Sequence, residues 1–192
     1  MNKTIFLDRD GVLIADTHLP RTTADLQMIE SVPQALSQLQ QAGFLLIVVS
    51  NQTVVSRGLM SESDMASLQS EVERQIERSG GPSLDGFYYC PHHPNATVSV
   101  YRANCQCRKP RPGMLLRAAN EHDIDLSNSF MIGDRITDII AGARAGCRTV
   151  LVETGAHLAP PIESSEPLDM SIAPDHTCRD LSEAVDWILE GM

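Results

Sequence analysis

Asp8 and Asp10 stand one residue apart at the end of the apolar run Ile5-Phe6-Leu7, in the stretch TIFLDRDGVL at residues 4–13. Carboxylates set against a buried strand are costly unless something positive lies between them. Other chemically capable residues also follow apolar runs. Ser50, Asn51 and Gln52 come directly after Phe44–Val49. Gly133, Asp134 and Arg135 come after Ser129–Ile132, with Asp138 one turn on. Arg108-Lys109-Pro110 lies between those two groups in the chain. Carboxylates, a hydroxyl and a lysine are the donor set for a hard divalent cation beside an anionic oxygen ligand.

A second set has different chemistry. Cys90-x-His92 and Cys105-x-Cys107 are two close pairs separated by twelve residues, in CPHHP and CQCRKP. Two such pairs split by a short loop can close a tetrahedral Zn²⁺ site of Cys₃His type, structural rather than catalytic. His93 rivals His92 as the fourth ligand. The bland alternative is that these cysteines are small buried hydrophobes. Cys147 and Cys178 stand outside the cluster, and Cys147 reads as core. His18, His122, His157 and His176 have no partners by spacing and read as surface or loop residues.

Apolar periodicity supplies the elements that must position these groups. Strands are expected at 3–7, 44–49, 84–89, 129–132 and 148–152. Helices are expected at 32–42, from Ser61 to about Arg78, at 112–122, 137–145 and 181–189. Ser61 with Asp64 forms a capping-box signature, and Gly43 and Gly146 are placed as helix stops. Residues 90–112 form a long aperiodic connection, and residues 155–177 read as a loose surface excursion. Alternating strands and helices predict an α/β fold, a Rossmann-like parallel sheet flanked by helices. Such sheets bind ligands at the carboxyl ends of their strands. The polar groups therefore converge at one edge, as a site for Mg²⁺ plus phosphate. Asp138 is left between two roles: a ligand through water, or a cap of the helix it opens.

The chain has 192 residues, 42% hydrophobic and 21% charged, which fits one domain spanning 1–192 with a metal-stapled loop at 90–112. A net charge of -10 argues against nucleic acid and anionic membrane as partners, and 4% aromatic content leaves little for base stacking. No apolar run is long enough to span a bilayer, and the first residues lack a signal-peptide pattern. A cytoplasmic monomer is expected. Crowded cysteines in a reducing compartment favour metal over disulfide.

Four stretches, in this order, carry a resemblance over about residues 4–140: DRDG, VVSNQ, CRKPRPGM and MIGDRITDI. Together they resemble the four motifs of the haloacid dehalogenase superfamily of phosphatases. The segment YYCPHHP…CQCRKPRPGM at 88–114 is similar to the subgroup of D-glycero-D-manno-heptose 1,7-bisphosphate phosphatases and the related histidinol-phosphate phosphatases. The resemblance implies that Asp8 is a nucleophile forming an aspartyl-phosphate and Asp10 a general acid and base. It implies Mg²⁺ on the carboxylates of Asp8 and Asp134 and the backbone carbonyl of Asp10. Ser50 and Lys109 would hold the phosphoryl group. Zinc would sit on Cys90, His92, Cys105 and Cys107, with His92 preferred to His93. Substrate contacts are implied for Ser50, Asn51, Gln52, Thr53, Arg57, Arg108, Lys109 and Arg135.

The chain departs from this subgroup at Val12, where Thr is usual, at Val54, where glycine is common, and at Arg135, which replaces a lysine. The loop after the first strand, with Asp16, Thr17, His18 and Leu19, matches only loosely and bears on the sugar. Insertions after the first two motifs are short, so no large cap is expected. The expected activity is a Mg²⁺-dependent phosphomonoesterase acting on a small phosphorylated sugar, the 7-phosphate of the heptose bisphosphate first and histidinol phosphate second. A reading of another class is a catalytically silent phosphate-binding regulatory module.

Overall fold

The computed structural model describes residues 1–16, 22–157 and 167–192. Expectations that fall on Thr17, His18, Leu19 and 158–166 lie outside the described residues.

Strand β1 (Thr4–Leu7) is buried at every position, as a central strand covered on both faces must be. β2 (Leu45–Asn51) and β4 (Phe130–Gly133) flank it in parallel, with Phe6 opposite both Ile47 and Met131. β3 (Gly86–Cys90) lies outside β2. β5 (Arg148–Val152) and β6 (His176–Cys178) extend the other side, giving the all-parallel order β3-β2-β1-β4-β5-β6. The helices are α1 (Val32–Gln41), the single turn α2 (Thr53–Ser56), α3 (Glu62–Arg78), α4 (Gly113–His122), α5 (Ile136–Ala145) and α6 (Leu181–Glu190).

Successive side chains of a strand point to opposite faces. Ile5 and Leu7 accordingly pack with Leu36 and Leu39 of α1, Met65 and Val72 of α3, and Val185 of α6. Phe6 packs on the other face with Met114 and Leu115 of α4 and Ala141 of α5. The chain runs outward from β1 through β2 to β3, then returns to place β4 on the other side of β1. The switch point therefore falls between β1 and β4, where open α/β sheets have their crevice. Asp8 and Asp134 follow those two strands.

The capping box forms as expected. Ser61 Oγ accepts the Asp64 N–H and Asp64 Oδ2 accepts the Ser61 N–H, both at 3.1 Å. Several boundaries differ from the sequence reading. β2 begins at Leu45, one residue after the predicted start at Phe44. It also runs two residues beyond Val49, pairing Ser50 and Asn51 with Tyr89 and Cys90. β3 begins at Gly86, because Asp85 closes a local pair with Leu46: its N–H donates to the Leu46 carbonyl and its carboxylate accepts the Leu46 N–H, both at 2.8 Å. The expected surface excursion at 155–177 contains the start of β6, which pairs His176–Cys178 with Val150–Val152. His176 is thus a strand residue, stacked on Trp187 with ring centroids 4.6 Å apart. His122 also has a partner, lying 3.1 Å from the Tyr88 hydroxyl. Cys147 is buried, as expected. Among the described residues no helix is long and apolar enough to cross a membrane.

Candidate active site and metal centres

Asp8 is still within the sheet ladder, its N–H donating to the Ile132 carbonyl at 3.0 Å. Its Oδ1 accepts the Arg9 N–H at 2.8 Å and lies 3.0 Å from Lys109 Nζ. The same ammonium lies 2.7 Å from Asp138 Oδ1 and donates to the Val49 carbonyl at 2.8 Å. Three acceptors thus surround a buried ammonium that has three protons to give. Burial alone would lower the Lys109 pKa. Asp138 and Asp8 outweigh that and hold the lysine charged, above its ordinary range. Its backbone is braced by Asn51, whose Nδ2 donates to the Lys109 carbonyl and whose Oδ1 accepts the Lys109 N–H, both at 3.1 Å.

Asp134 is fully buried at the end of β4. Its Oδ2 accepts the Ala156 N–H at 2.6 Å, and Oδ1 has no hydrogen-bond partner among the described residues. Two glycines make room for it. A Cβ at Gly11 would stand 2.5 Å from Asp134 Oδ2, and one at Gly155 2.2 Å away. Gly11 also has φ +84°, in the left-handed region that favours glycine. Burial, then the negative charges of Asp8 and Asp138, push the Asp134 carboxyl up to about 8. Asp138 is equally buried and is pushed up to about 6 by burial, against the pull of Lys109. Its Oδ2 accepts the Arg135 N–H at 3.0 Å, so the helix-cap alternative is realised.

Carboxylate oxygens of Asp8, Asp134 and Asp138 lie within 4.8 Å of one another. Three buried acids converging around an orphaned oxygen fit a hard divalent cation, which takes oxygen ligands and removes their mutual repulsion. The Asp10 carboxylate stands apart from this trio. Arg9 Nη2 approaches both of its oxygens, at 3.1 and 3.0 Å, and Gln52 Nε2 donates to Oδ2 at 3.1 Å. Ser50 Oγ is buried and accepts the other Gln52 Nε2 proton at 2.8 Å.

The second centre is formed by Cys90, His92, Cys105 and Cys107. The sulfurs are 3.4 Å (Cys90–Cys105), 3.2 Å (Cys90–Cys107) and 3.1 Å (Cys105–Cys107) apart. His92 Nδ1 lies 3.8 Å from Cys90 and 3.5 Å from Cys107. These edges sit close to the roughly 3.8 Å sulfur–sulfur edge of a tetrahedron with metal–sulfur bonds of about 2.3 Å. The hydrogen bond between Cys90 and Cys107 lowers the Cys107 thiol and raises the Cys90 thiol, so one proton sits between these two sulfurs in the metal-free cluster. His93, the rival ligand, has its Nδ1 taken by the Asn95 N–H at 3.0 Å.

This loop is tied to α2 and α3. The Val98 N–H donates to the Ser56 carbonyl at 3.0 Å, and Tyr101 Oη donates to Glu62 at 2.8 Å. Arg108 Nη1 donates to the His92 carbonyl at 3.2 Å, so this buried cation holds the loop's own backbone. Arg135 Nη2 is paired with Asp16 at 3.0 Å. Thr53 opens α2, and Arg57 follows it, exposed.

Sequence reasoning brought the right strand ends together but missed three contributors. Gly155 and Ala156 close over Asp134, and Thr154 Oγ1 donates to the Gly11 carbonyl. Their signal was the polar turn ETGA directly after β5. Arg9 lies between the two aspartates in the sequence, where its contact with Gln52 is not legible.

Comparison with known proteins agrees with this geometry. A HAD-hydrolase-like family model matches residues 106–184. The D-glycero-beta-D-manno-heptose-1,7-bisphosphate 7-phosphatase of Haemophilus ducreyi is 42% identical over 154 residues, covering 80% of this chain and 84% of that protein. Its counterpart in Escherichia coli strain K12 is 39% identical over 162 residues, covering 84% of each. The crystal structure of D,D-heptose 1.7-bisphosphate phosphatase from B. bronchiseptica, complexed with magnesium and phosphate, superposes with TM-score 0.81 at 30% identity, covering 99% of both chains. Similarity at this level, over most of each chain and with the expected motif residues at the switch point, places the protein among the HAD-like phosphatases, phosphoric monoester hydrolases, in the family of the heptose-bisphosphate 7-phosphatases.

Proposed function

We propose that the chain removes the 7-phosphate of D-glycero-D-manno-heptose 1,7-bisphosphate, as the β anomer carried in its relatives' names. The observation that carries the reading is Asp8 held between the Lys109 ammonium at 3.0 Å and the buried Asp134–Asp138 pair. Mg²⁺ would be held by Asp8, Asp134 and the Asp10 carbonyl, and would supply charge neutralisation at an anionic phosphate. An Asp8 oxygen attacks phosphorus as the ester P–O bond breaks, giving an aspartyl-phosphate. Asp10 gives its proton to the departing sugar oxygen. It then takes a proton from the water that attacks phosphorus, which frees Asp8 and inorganic phosphate. Ser50 donates to a phosphoryl oxygen through both steps, and the buried Lys109 ammonium beside Asp8 neutralises charge there. Thr53, Arg57 and Arg135 form the rim toward the sugar, while Asn51, Gln52 and Arg108, whose side chains hold Lys109, Asp10 and the loop backbone, line it from behind.

Zn²⁺ on Cys90, His92, Cys105 and Cys107 would staple the loop that delivers Lys109. The unbonded sulfurs support metal over disulfide, and with it a cytoplasmic setting. The chain acts as a single capless domain, 1–192, and as a monomer. The test is a panel of phosphate esters, including heptose 1,7-bisphosphate and histidinol phosphate, ranked by kcat/KM with Mg²⁺. The heptose ester should lead, and Asp8→Asn should abolish release. No phosphate release from any ester would instead favour a silent phosphate-binding module.

A further inference from the structure

We infer that Gln52 and Arg9 form a clamp that positions Asp10, with the Gln52 amide coupling the acid–base residue to the phosphate-binding hydroxyl of Ser50. The inference rests on the reading of Asp10 as acid and base. Arg9 is 1% exposed, and its Nη2 is the one guanidinium nitrogen in the hydrogen-bond network: Nε and Nη1 have no hydrogen-bond partner among the described residues. A buried guanidinium is costly to desolvate, and here it is directed at two acceptors, the Asp10 carboxylate and Gln52 Oε1 at 3.0 Å. Accepting from Arg9 fixes the orientation of the Gln52 amide. Its Nε2 must then face the other way, and both of its protons are used, on Asp10 Oδ2 and Ser50 Oγ.

This has two consequences. The Asp10 carboxylate is restrained at both oxygens while its side chain stays 23% exposed at the cleft, so it is fixed yet reachable. Ser50 Oγ is used as an acceptor, which turns its own proton outward for a phosphoryl oxygen. Gln52 is therefore a positioning residue that acts through its neighbours. One amide sets the relative placement of the group that holds the phosphate and the group that moves the proton.

The leaving group separates this role from a structural one. A sugar oxygen must be protonated as it departs, whereas p-nitrophenolate leaves without a proton. Hydrolysis of the aspartyl-phosphate needs Asp10 as base for either ester. Gln52→Met removes every contact of the amide at similar volume. Gln52→Glu keeps the acceptor toward Arg9 but sets an oxygen against Asp10. For both variants, kcat/KM on the heptose ester should fall about 100-fold, and on p-nitrophenyl phosphate at least tenfold less. Rapid mixing with p-nitrophenyl phosphate should show a burst of nitrophenolate followed by a slow phase, as the phosphorylated enzyme accumulates. Equal losses on both esters without a burst, or a raised KM at unchanged kcat, would overturn the clamp while leaving the phosphatase reading intact. Wild-type protein inert on both esters would overturn that reading and the clamp with it. Thermal melts of each variant show whether a uniform loss comes from unfolding.

Discussion

Lys109 Nζ lies 3.0 Å from Asp8 Oδ1, and the same ammonium reaches Asp138 at 2.7 Å, so one buried cation joins the proposed nucleophile after β1 to the capping acid of α5. Replacing it removes the charge that holds two acids together. Lys109→Met should lower kcat by about 100- to 1,000-fold, the usual loss when a transition-state charge stabiliser is removed. It should also destabilise the fold by about 3–5 kcal/mol, because unpaired buried acids remain. Steady-state kinetics and denaturant melts measure the two effects separately. Excess Mg²⁺ should recover part of the stability and little of the turnover, since the cation relieves acid repulsion but cannot replace an ammonium at the phosphoryl group. A variant with wild-type kcat would remove Lys109 from the mechanism.

Acid repulsion also gives the metal-free protein a pH signature. The Asp134 pKa is raised from 3.8 to about 8 in the folded chain. A group raised on folding stabilises fully below its unfolded pKa, and that stability is lost as pH rises toward the folded value. Metal-free protein should therefore melt at progressively lower temperature between about pH 5 and pH 8. The slope approaches about 1.4 kcal/mol per pH unit for one proton, or about 3–6 °C in Tm. Saturating Mg²⁺ should flatten the slope by displacing that proton. Asp134→Asn should remove most of it without metal. Identical metal-free melting curves for wild type and Asp134→Asn across this range would show that Asp134 is not the titrating group.

The main architecture was legible because its determinants are local. β1, β2 and β4 are short, largely apolar runs, which is how a parallel strand covered on both faces must read, and each ends in a polar cluster. Three of the four motifs stood at those ends, so naming the strands named most of the site, and the remaining one, CRKPRPGM, leads into α4. What stayed hidden depends on distant partners. β6 is only His-Thr-Cys, with no period to detect, and is recruited by pairing with β5 and by the stack of His176 on Trp187. Gln52 is an uncharged amide whose meaning comes from Arg9 and Asp10 on another strand end. Asp138 presented two separate roles in sequence. The fold shows it capping α5 while it pairs with Lys109.

Gly11 provides a test of the metal cradle by shape alone. It turns the chain at φ +84° directly after Asp10, and an added methyl would sit 2.5 Å from Asp134 Oδ2 and 3.0 Å from the Gly155 Cα. Gly11→Ala should weaken Mg²⁺ affinity at least tenfold, read by calorimetric titration, because Asp134 must move to relieve the overlap. Backbone strain at positive φ adds about 1–2 kcal/mol of lost stability. Gly146 has a similar φ of +92°, with nothing among the described residues within 4 Å of where its Cβ would stand. Gly146→Ala should therefore lose comparable stability while keeping Mg²⁺ affinity. Equal Mg²⁺ affinity in both variants would mean that the close approach at Gly11 plays no part in holding the metal.

The loop cluster should act on catalysis through position. Cys107 immediately precedes Arg108 and Lys109, and Asn51 grips the Lys109 backbone from the opposite side. Losing one ligand would free the loop end of that grip while leaving the Asn51 end in place. Cys107→Ala should bind far less than one zinc per chain by elemental analysis and melt at lower temperature. Its kcat should fall more than KM changes, because a displaced ammonium weakens the transition state more than ground-state binding. Chelation of zinc from the wild type should reproduce both effects, and adding zinc back should restore the wild type but not the variant. A folded, zinc-free Cys107→Ala protein with full turnover would disconnect the loop from the placement of Lys109.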